Sequence, residues 1–197
     1  PGDAPTDFRA NDAIVFNDAA FSGSVQVSEG AVVPSSVTFE NATLAYAFSG
    51  DYGITGATGI VKNGAAQVTF ANVGNAFTGG VIVNAGTLVF QSAQTIAGGL
   101  TVNGGNLVLG AANTLSGNVV LNGAGSLTLG AAGALGSGNS LAFGSGASGE
   151  FKLAGNAVTL AGLSTHATVG TPTVVNGVSA TTATLTVDVA SGTKTFA

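Results

Sequence analysis

Val81-Ile-Val-Asn-Ala-Gly-Thr-Leu-Val-Phe90 and Leu100-Thr-Val-Asn-Gly-Gly-Asn-Leu-Val-Leu109 are one ten-residue pattern written twice in succession. Val119-Val-Leu-Asn122 and Ile60-Val-Lys-Asn63 start two further copies, so Asn63, Asn84, Asn103 and Asn122 recur at nearly constant spacing. A fixed period near twenty residues means stacked copies of one structural unit. An Asn repeated once per coil stacks its amide on the next, so these four residues are expected to form a hydrogen-bonded ladder inside the turns.

A second apolar triplet keeps the same period at Val68-Thr69-Phe70, Leu88-Val89-Phe90, Leu107-Val108-Leu109 and Leu127-Thr128-Leu129. Single apolar residues at Phe77, Ile96, Leu115 and Leu135 mark a short corner. Ile14-Val15-Phe16, Val25-Gln26-Val27, Val37-Thr38-Phe39 and Tyr46-Ala47-Phe48 extend the register upstream, and Leu141-Ala142-Phe143 and Phe151-Lys152-Leu153 extend it downstream. The apolar period is two within each segment, not 3.6, so the segments are strands. First and third residues of a triplet share a face, and the large ones, such as Leu107 and Leu109, should line the core. The expectation is an all-β solenoid of seven or eight coils, about 19–22 residues each, stacked at about 4.8 Å.

Residues 1–12 are polar and read as a leader or cap, and 13–197 as one solenoid domain, most regular over 63–143. Ala157 to Leu163 and Ala183 to Val189 are further strand candidates. Four Asn-Gly pairs, at 63, 103, 122 and 176, suit turns of positive φ. The chain begins with Pro1 and reads as a mature or excised segment.

Composition excludes several functions. Charged residues are 7% of the chain, against about 25% in an average domain. Residues 63–149 contain no Asp, Glu, Lys or Arg, and the net charge is −5. Four basic residues cannot track phosphates, which argues against nucleic acid as a partner. No apolar run approaches the ~18 residues of a membrane span, so this segment should not insert. Without Cys there is no thiolate metal site, and the calcium-binding Gly-Gly-x-Gly-x-Asp repeat is absent. No metal or cofactor is expected.

Val68 to Phe90, which includes Asn75-Ala-Phe77-Thr78-Gly79-Gly80 and Asn84-Ala-Gly86-Thr87-Leu88, resembles the autotransporter passenger-associated β-strand repeat. Weaker echoes cover roughly residues 60 to 130. The resemblance implies a right-handed parallel β-helix, secretion and a surface or extracellular role, with no shared catalytic residues.

Chemistry-bearing residues are few. His166 is the single histidine, has no flanking carboxylate, and reads as a turn residue. Glu150 and Lys152 flank Phe151 and should form a solvated pair, and Lys62 reads as the outward end of a strand. A polysaccharide-acting site needs clustered carboxylates, and its only source would be Asp12, Asp18, Glu29, Glu40 or Asp51. A non-enzyme is expected.

Two surfaces are candidates for contact. Outward middle positions Ile82, Thr101 and Val120 on one face, and Thr69, Val89, Val108 and Thr128 on another, form uncharged strips suited to lateral packing or a surface glycan. The end of the chain supplies the other. Thr181, Leu185, Val187, Val189 and Phe196 belong to a terminal strand segment without a capping helix, and an uncovered edge invites pairing. The expected function is therefore an extracellular structural module associating head to tail with itself, with a glycan- or protein-binding passenger as the alternative.

Overall fold

A computed structural model describes residues 9–188 of the 197-residue chain. Among them it contains strands and turns and no helix. All strand pairing is parallel, and the strands stack into a β-solenoid of about seven turns. The first sheet stacks eight strands: Ala13–Phe16, Ser36–Phe39, Ile60–Lys62, Val81–Val83, Leu100–Val102, Val119–Leu121, Ser140–Phe143 and Gly162–Thr165. The second also has eight: Ser24–Gln26, Tyr46–Ser49, Gln67–Phe70, Thr87–Phe90, Asn106–Leu109, Ser126–Leu129, Glu150–Lys152 and Thr173–Val175. The corner residues Phe77, Ile96 and Leu115 end two-residue strands of a third sheet, Ala76–Phe77, Thr95–Ile96 and Thr114–Leu115. Leu135 keeps its place in the core without a strand.

Register follows the apolar triplets. Ile14, Val37, Ile60, Val81, Leu100, Val119, Leu141 and Leu163 are aligned on successive coils. The coils from Val81 to Leu100 and from Leu100 to Val119 are the shortest. Those from Ile14 to Val37 and from Val37 to Ile60 are the longest in this sheet and slightly exceed the expected length, and the step from Val158 to Leu185 is longer still. Alternation decides what is buried: in Thr87–Phe90, Leu88 and Phe90 are fully buried while Thr87 and Val89 are half-exposed. Each such Leu or Phe contributes about 1.5–3 kcal/mol by leaving water. No coil can bury its apolar face alone, so the stabilisation comes from its neighbours.

The core changes character along the axis. From Phe16 to Phe90 it is aromatic, with Phe48 stacked on Phe70 at 4.5 Å between ring centroids and edge-on to Phe39 at 5.8 Å. From Leu100 onward it is mainly aliphatic, built on residues such as Leu107, Leu121 and Leu129.

Two turn expectations are corrected. Gly123 and Gly177 have positive φ, at 49° and 75°, but Gly64 and Gly104 do not. A Cβ on Gly64 would lie 2.1 Å from the Asn41 carbonyl oxygen, and one on Gly104 would lie 2.8 Å from that of Asn84. Glycine is required there because stacked turns touch backbone to backbone. The segment 157–163 is also two strands, Ala157–Leu160 and Gly162–Thr165, separated at Ala161. The first pairs with Thr184–Val187, in register Val158↔Leu185 and Leu160↔Val187. Thr184–Val187 therefore adds to the last described coil along one edge.

Candidate functional site

The repeated Asn residues sit one position beyond the inward third residue of successive first-sheet strands. Asn84 Nδ2 donates to Asn63 Oδ1 at 2.7 Å, Asn103 Nδ2 to Asn84 Oδ1 at 2.7 Å, and Asn122 Nδ2 to Asn103 Oδ1 at 2.9 Å. Asn63 Nδ2 donates in turn to Glu40 Oε1 at 2.7 Å. A carboxylate only accepts, so Glu40 is where such a chain of donors can end. The ladder runs along the solvent side of the turns: Asn84 and Asn103 are exposed.

A second row of amides lies inside, buried at positions that read in sequence as turns. Asn75, Gln94 and Asn113 immediately precede the third-sheet strands and are almost wholly buried. Asn75 Oδ1 accepts the Ile54 N–H at 2.8 Å, and Asn113 Oδ1 accepts the Gln94 N–H at 2.9 Å. Asn113 Nδ2 donates to Ala111 O at 2.7 Å and to Ala134 O at 2.9 Å. A short corner leaves main-chain groups that no strand partner meets, and inward amides satisfy them. Gln94, one methylene longer, breaks the row: its Oε1 is buried without a partner.

Lys62 is not outward. It is fully buried, at 0% exposure, between Phe39 and Val83 of the adjoining strands. As the third residue of its triplet it must point inward. Its Nζ donates to the Gly64 carbonyl and reaches Ala85 O at 3.5 Å. Burial pushes its pKa below the ordinary lysine value, and the Glu40 carboxylate opposes that shift.

The strips are less open than their sequence suggests. Ile82 is 39% exposed, but Thr101, Val120, Val89, Val108 and Thr128 are only half-exposed. Thr69 is buried, and Gln67 Nε2 donates to its Oγ1 at 2.9 Å. Ile82, Thr101 and Val120 align on the first sheet, and Val89 and Val108 on the second, so they form two faces rather than one site. Lys152 and Glu150 form an ion pair at 2.9 Å.

At the terminal strand, Leu185 and Val187 are half-buried against the last coil, and Thr181 lies in the preceding turn, held by Asn176 Nδ2 at 2.7 Å through its carbonyl. Val189 and Phe196 lie outside the described residues. Thr184 N–H donates to Asn156 O and Asp188 N–H to Leu160 O. The alternation of a parallel strand then turns the N–H groups of Leu185 and Val187 to the opposite edge, which pairs with no strand among the described residues. At the other end, the outer edges of Ala13–Phe16 and Ser24–Gln26 are likewise unpaired among the described residues. Between these two strands opens a cavity of about 790 Å³, floored by Ile14, Phe16, Val25, Val32, Phe48 and Ile54.

Among the described residues no group of three or more His, Asp or Glu stands close enough to hold a metal ion. His166 is exposed in a turn, its Nδ1 accepting the Thr168 N–H at 3.1 Å.

Comparison with curated proteins and with solved structures gives no match. Comparison with family models matches the passenger-associated-transport-repeat at residues 60–90 and 85–109, the stretch in which the coils are most regular and the Asn ladder begins. Residues 60–109 of this solenoid are thus similar to the passenger-associated-transport-repeat, the resemblance that Val68 to Phe90 carries in the sequence.

Proposed function

We propose that the chain is a structural β-solenoid module of an extracellular or cell-surface protein or fibre, and that copies of it join end to end. The observation that supports this is a strand edge at each end of the rod that is unpaired among the described residues, with a cavity floored by apolar side chains at the Ala13 end. Exposed edges are templates for pairing. Joining unlike ends does not close on itself and gives filaments. Sedimentation velocity over a concentration series, with negative-stain microscopy, tests the reading. Growing linear oligomers are expected. Val187→Pro, which removes one outward N–H while leaving the inner pairing of the strand, should stop growth. A monomer at all concentrations, or unchanged growth of Val187→Pro, overturns it.

A second reading, a passenger that binds a surface glycan or protein through a lateral strip, is favoured by the exposure of Ile82 on an uncharged sheet face. Glycan-array binding lost in Ile82→Lys, Thr101→Lys or Val120→Lys would support it, and an array without hits would sink it.

A further inference from the structure

The Asn column does not stop at Asn122. Strand register places Glu40, Asn63, Asn84, Asn103, Asn122, Gly144 and His166 at equivalent positions of successive coils, each following the aligned residues Phe39, Lys62, Val83, Val102, Leu121, Phe143 and Thr165. Each Nδ2 donates toward Glu40, so each Oδ1 faces the other way, toward the next rung. For Asn122 that next rung is Gly144, which has no side chain. Asn122 Oδ1 leans into the room this leaves: a Cβ on Gly144 would lie 1.8 Å from it.

The far wall of this gap is His166. Its Nδ1 accepts the main-chain N–H of Thr168 at 3.1 Å and lies 2.9 Å from Thr168 Oγ1. A ring nitrogen that accepts a main-chain N–H carries no proton, so the ring proton of the neutral imidazole is on Nε2. Ser145 lines the notch, and its Oγ is 3.0 Å from Thr168 Oγ1. Val120, Ala142 and Ser164, the aligned outward residues of three successive strands, form the floor of the notch, whose volume is about 410 Å³.

We propose that this notch binds a carboxamide in place of the missing rung, and that the carboxamide is the acetamido group of an N-acetylated amino sugar. An amide is the group that presents a donor and an acceptor one carbon apart, as each rung of the column does. Its N–H meets the open Asn122 Oδ1 and its C=O meets the His166 Nε2–H. Coil spacing of about 4.8 Å is the repeat of an amide ladder, so one amide fills one gap. The chemistry discriminates. A carboxylate has no donor for Asn122 Oδ1, and an ammonium has no acceptor for His166. The acetamido methyl covers Val120 and Ala142 of the floor, which a plain hydroxyl leaves bare. The Ser145 hydroxyl faces the hydroxyls of the sugar ring. The site is lateral and does not depend on the end-to-end joining of copies.

Heteronuclear NMR of the full chain tests the proposal with four probes: N-acetylglucosamine, glucosamine, glucose and acetamide. N-acetylglucosamine should give saturable shifts at the Gly144 amide, the Asn122 side-chain amide and the His166 ring. Glucosamine and glucose should give none, and acetamide should act on the same residues about tenfold or more weakly, roughly the worth of the ring contacts. Gly144→Asn supplies the rung from the chain itself and should weaken N-acetylglucosamine binding by about tenfold or more. His166→Phe should do the same while leaving the Asn63–Asn122 ladder signals in place. No saturable shift with N-acetylglucosamine overturns the site, as does equal response to glucose or undiminished binding by Gly144→Asn. Acetamide binding as tightly as N-acetylglucosamine overturns the sugar.

Discussion

The first coils, residues 13–59, and the middle coils, residues 60–129, share the same two long sheets yet hold their turns by different means. In the first coils the Asp18 carboxylate accepts three main-chain N–H groups of the next turn, from Ala42, Thr43 and Leu44, at 2.9, 3.0 and 2.8 Å. In the middle coils identical amides satisfy one another at 2.7 to 2.9 Å. Aligned positions lie farther apart in sequence at the start of the rod, from Ile14 to Val37 to Ile60, than in the middle, from Val81 to Leu100 to Val119. An amide both donates and accepts, so it can repeat without limit; a carboxylate only accepts, so it serves one turn and stops. Regular spacing is what makes the shared ladder possible, and in the irregular first coils a carboxylate takes its place.

The cores differ in the same direction, and the largest predicted effect tests that. Phe48, ringed by Phe16, Phe39 and Phe70, has no small way to collapse. Phe48→Ala should cost about 3–5 kcal/mol, read by chemical denaturation. Leu107→Ala in the aliphatic middle falls in the range of about 2–5 kcal/mol and should be the milder of the two. A Phe48/Phe70 double-mutant cycle should show about 0.5–1.5 kcal/mol of coupling from the stacked rings. A costlier Leu107→Ala would break the distinction between the two cores. Next in size is Asn113→Ala in the middle coils. It strands the Gln94 N–H and the carbonyls of Ala111 and Ala134, and should cost about 1–3 kcal/mol. An unchanged denaturation midpoint would show that water replaces the amide.

Much of this is legible in the sequence, for one reason: parallel stacking repeats each side chain's environment once per coil, so a fixed period in the sequence is a column in space. Triplets ending at Phe90, Leu109 and Leu129 mark the second sheet, and the four Asn mark the outer column. Lys62 reads as outward because its charge outweighs the alternation rule that turns it inward. The buried amides are hidden because polar residues read as turn residues, although Asn75-Ala-Phe77, Gln94-Thr-Ile96 and Asn113-Thr-Leu115 recur at one constant spacing. The notch at Gly144 leaves no signal, since it consists of a missing side chain and emerges only when strand register sets it in line with Asn122.

Charge separates the regions further through pH. Lys62, at the junction of the two, has a folded pKa below the ordinary 10.5 because burial penalises the ammonium. Between that lowered value and 10.5 the unfolded chain binds more protons, so stability should rise with pH across this window. Lys62→Met should remove the rise, and a rise that persists in the variant assigns it elsewhere. Asp18 has the opposite limb. The N–H groups of Leu44 and Thr43 hold its pKa below 3.8, so its stabilisation is present above 3.8 and lost as pH falls through the folded value. Asp18→Asn should flatten that acid loss, in a pH series of thermal melts. A wild-type acid limb in the variant would show that the first turns do not lean on this carboxylate.

The smallest effect expected is at the ladder itself. Asn103→Ala removes two hydrogen bonds at once, leaving Asn84 Oδ1 without its donor and Asn122 Nδ2 without its acceptor. Inside a turn such orphans would cost the full desolvation of each group. Here Asn84 is exposed and Asn122 half-exposed, and water reaches both orphans. The cost should therefore be the net worth of exposed bonds, about 0.5–1.5 kcal/mol. Asn103→Asp sharpens the test, because it keeps the acceptor for Asn122 and sets a carboxylate against the Asn84 oxygen. Asp should then cost more than Ala above pH 5 and no more than Ala below pH 3, where the protonated acid can donate. Both variants melting like the wild type at every pH would mean that the column follows from the stacked backbone and contributes nothing to it.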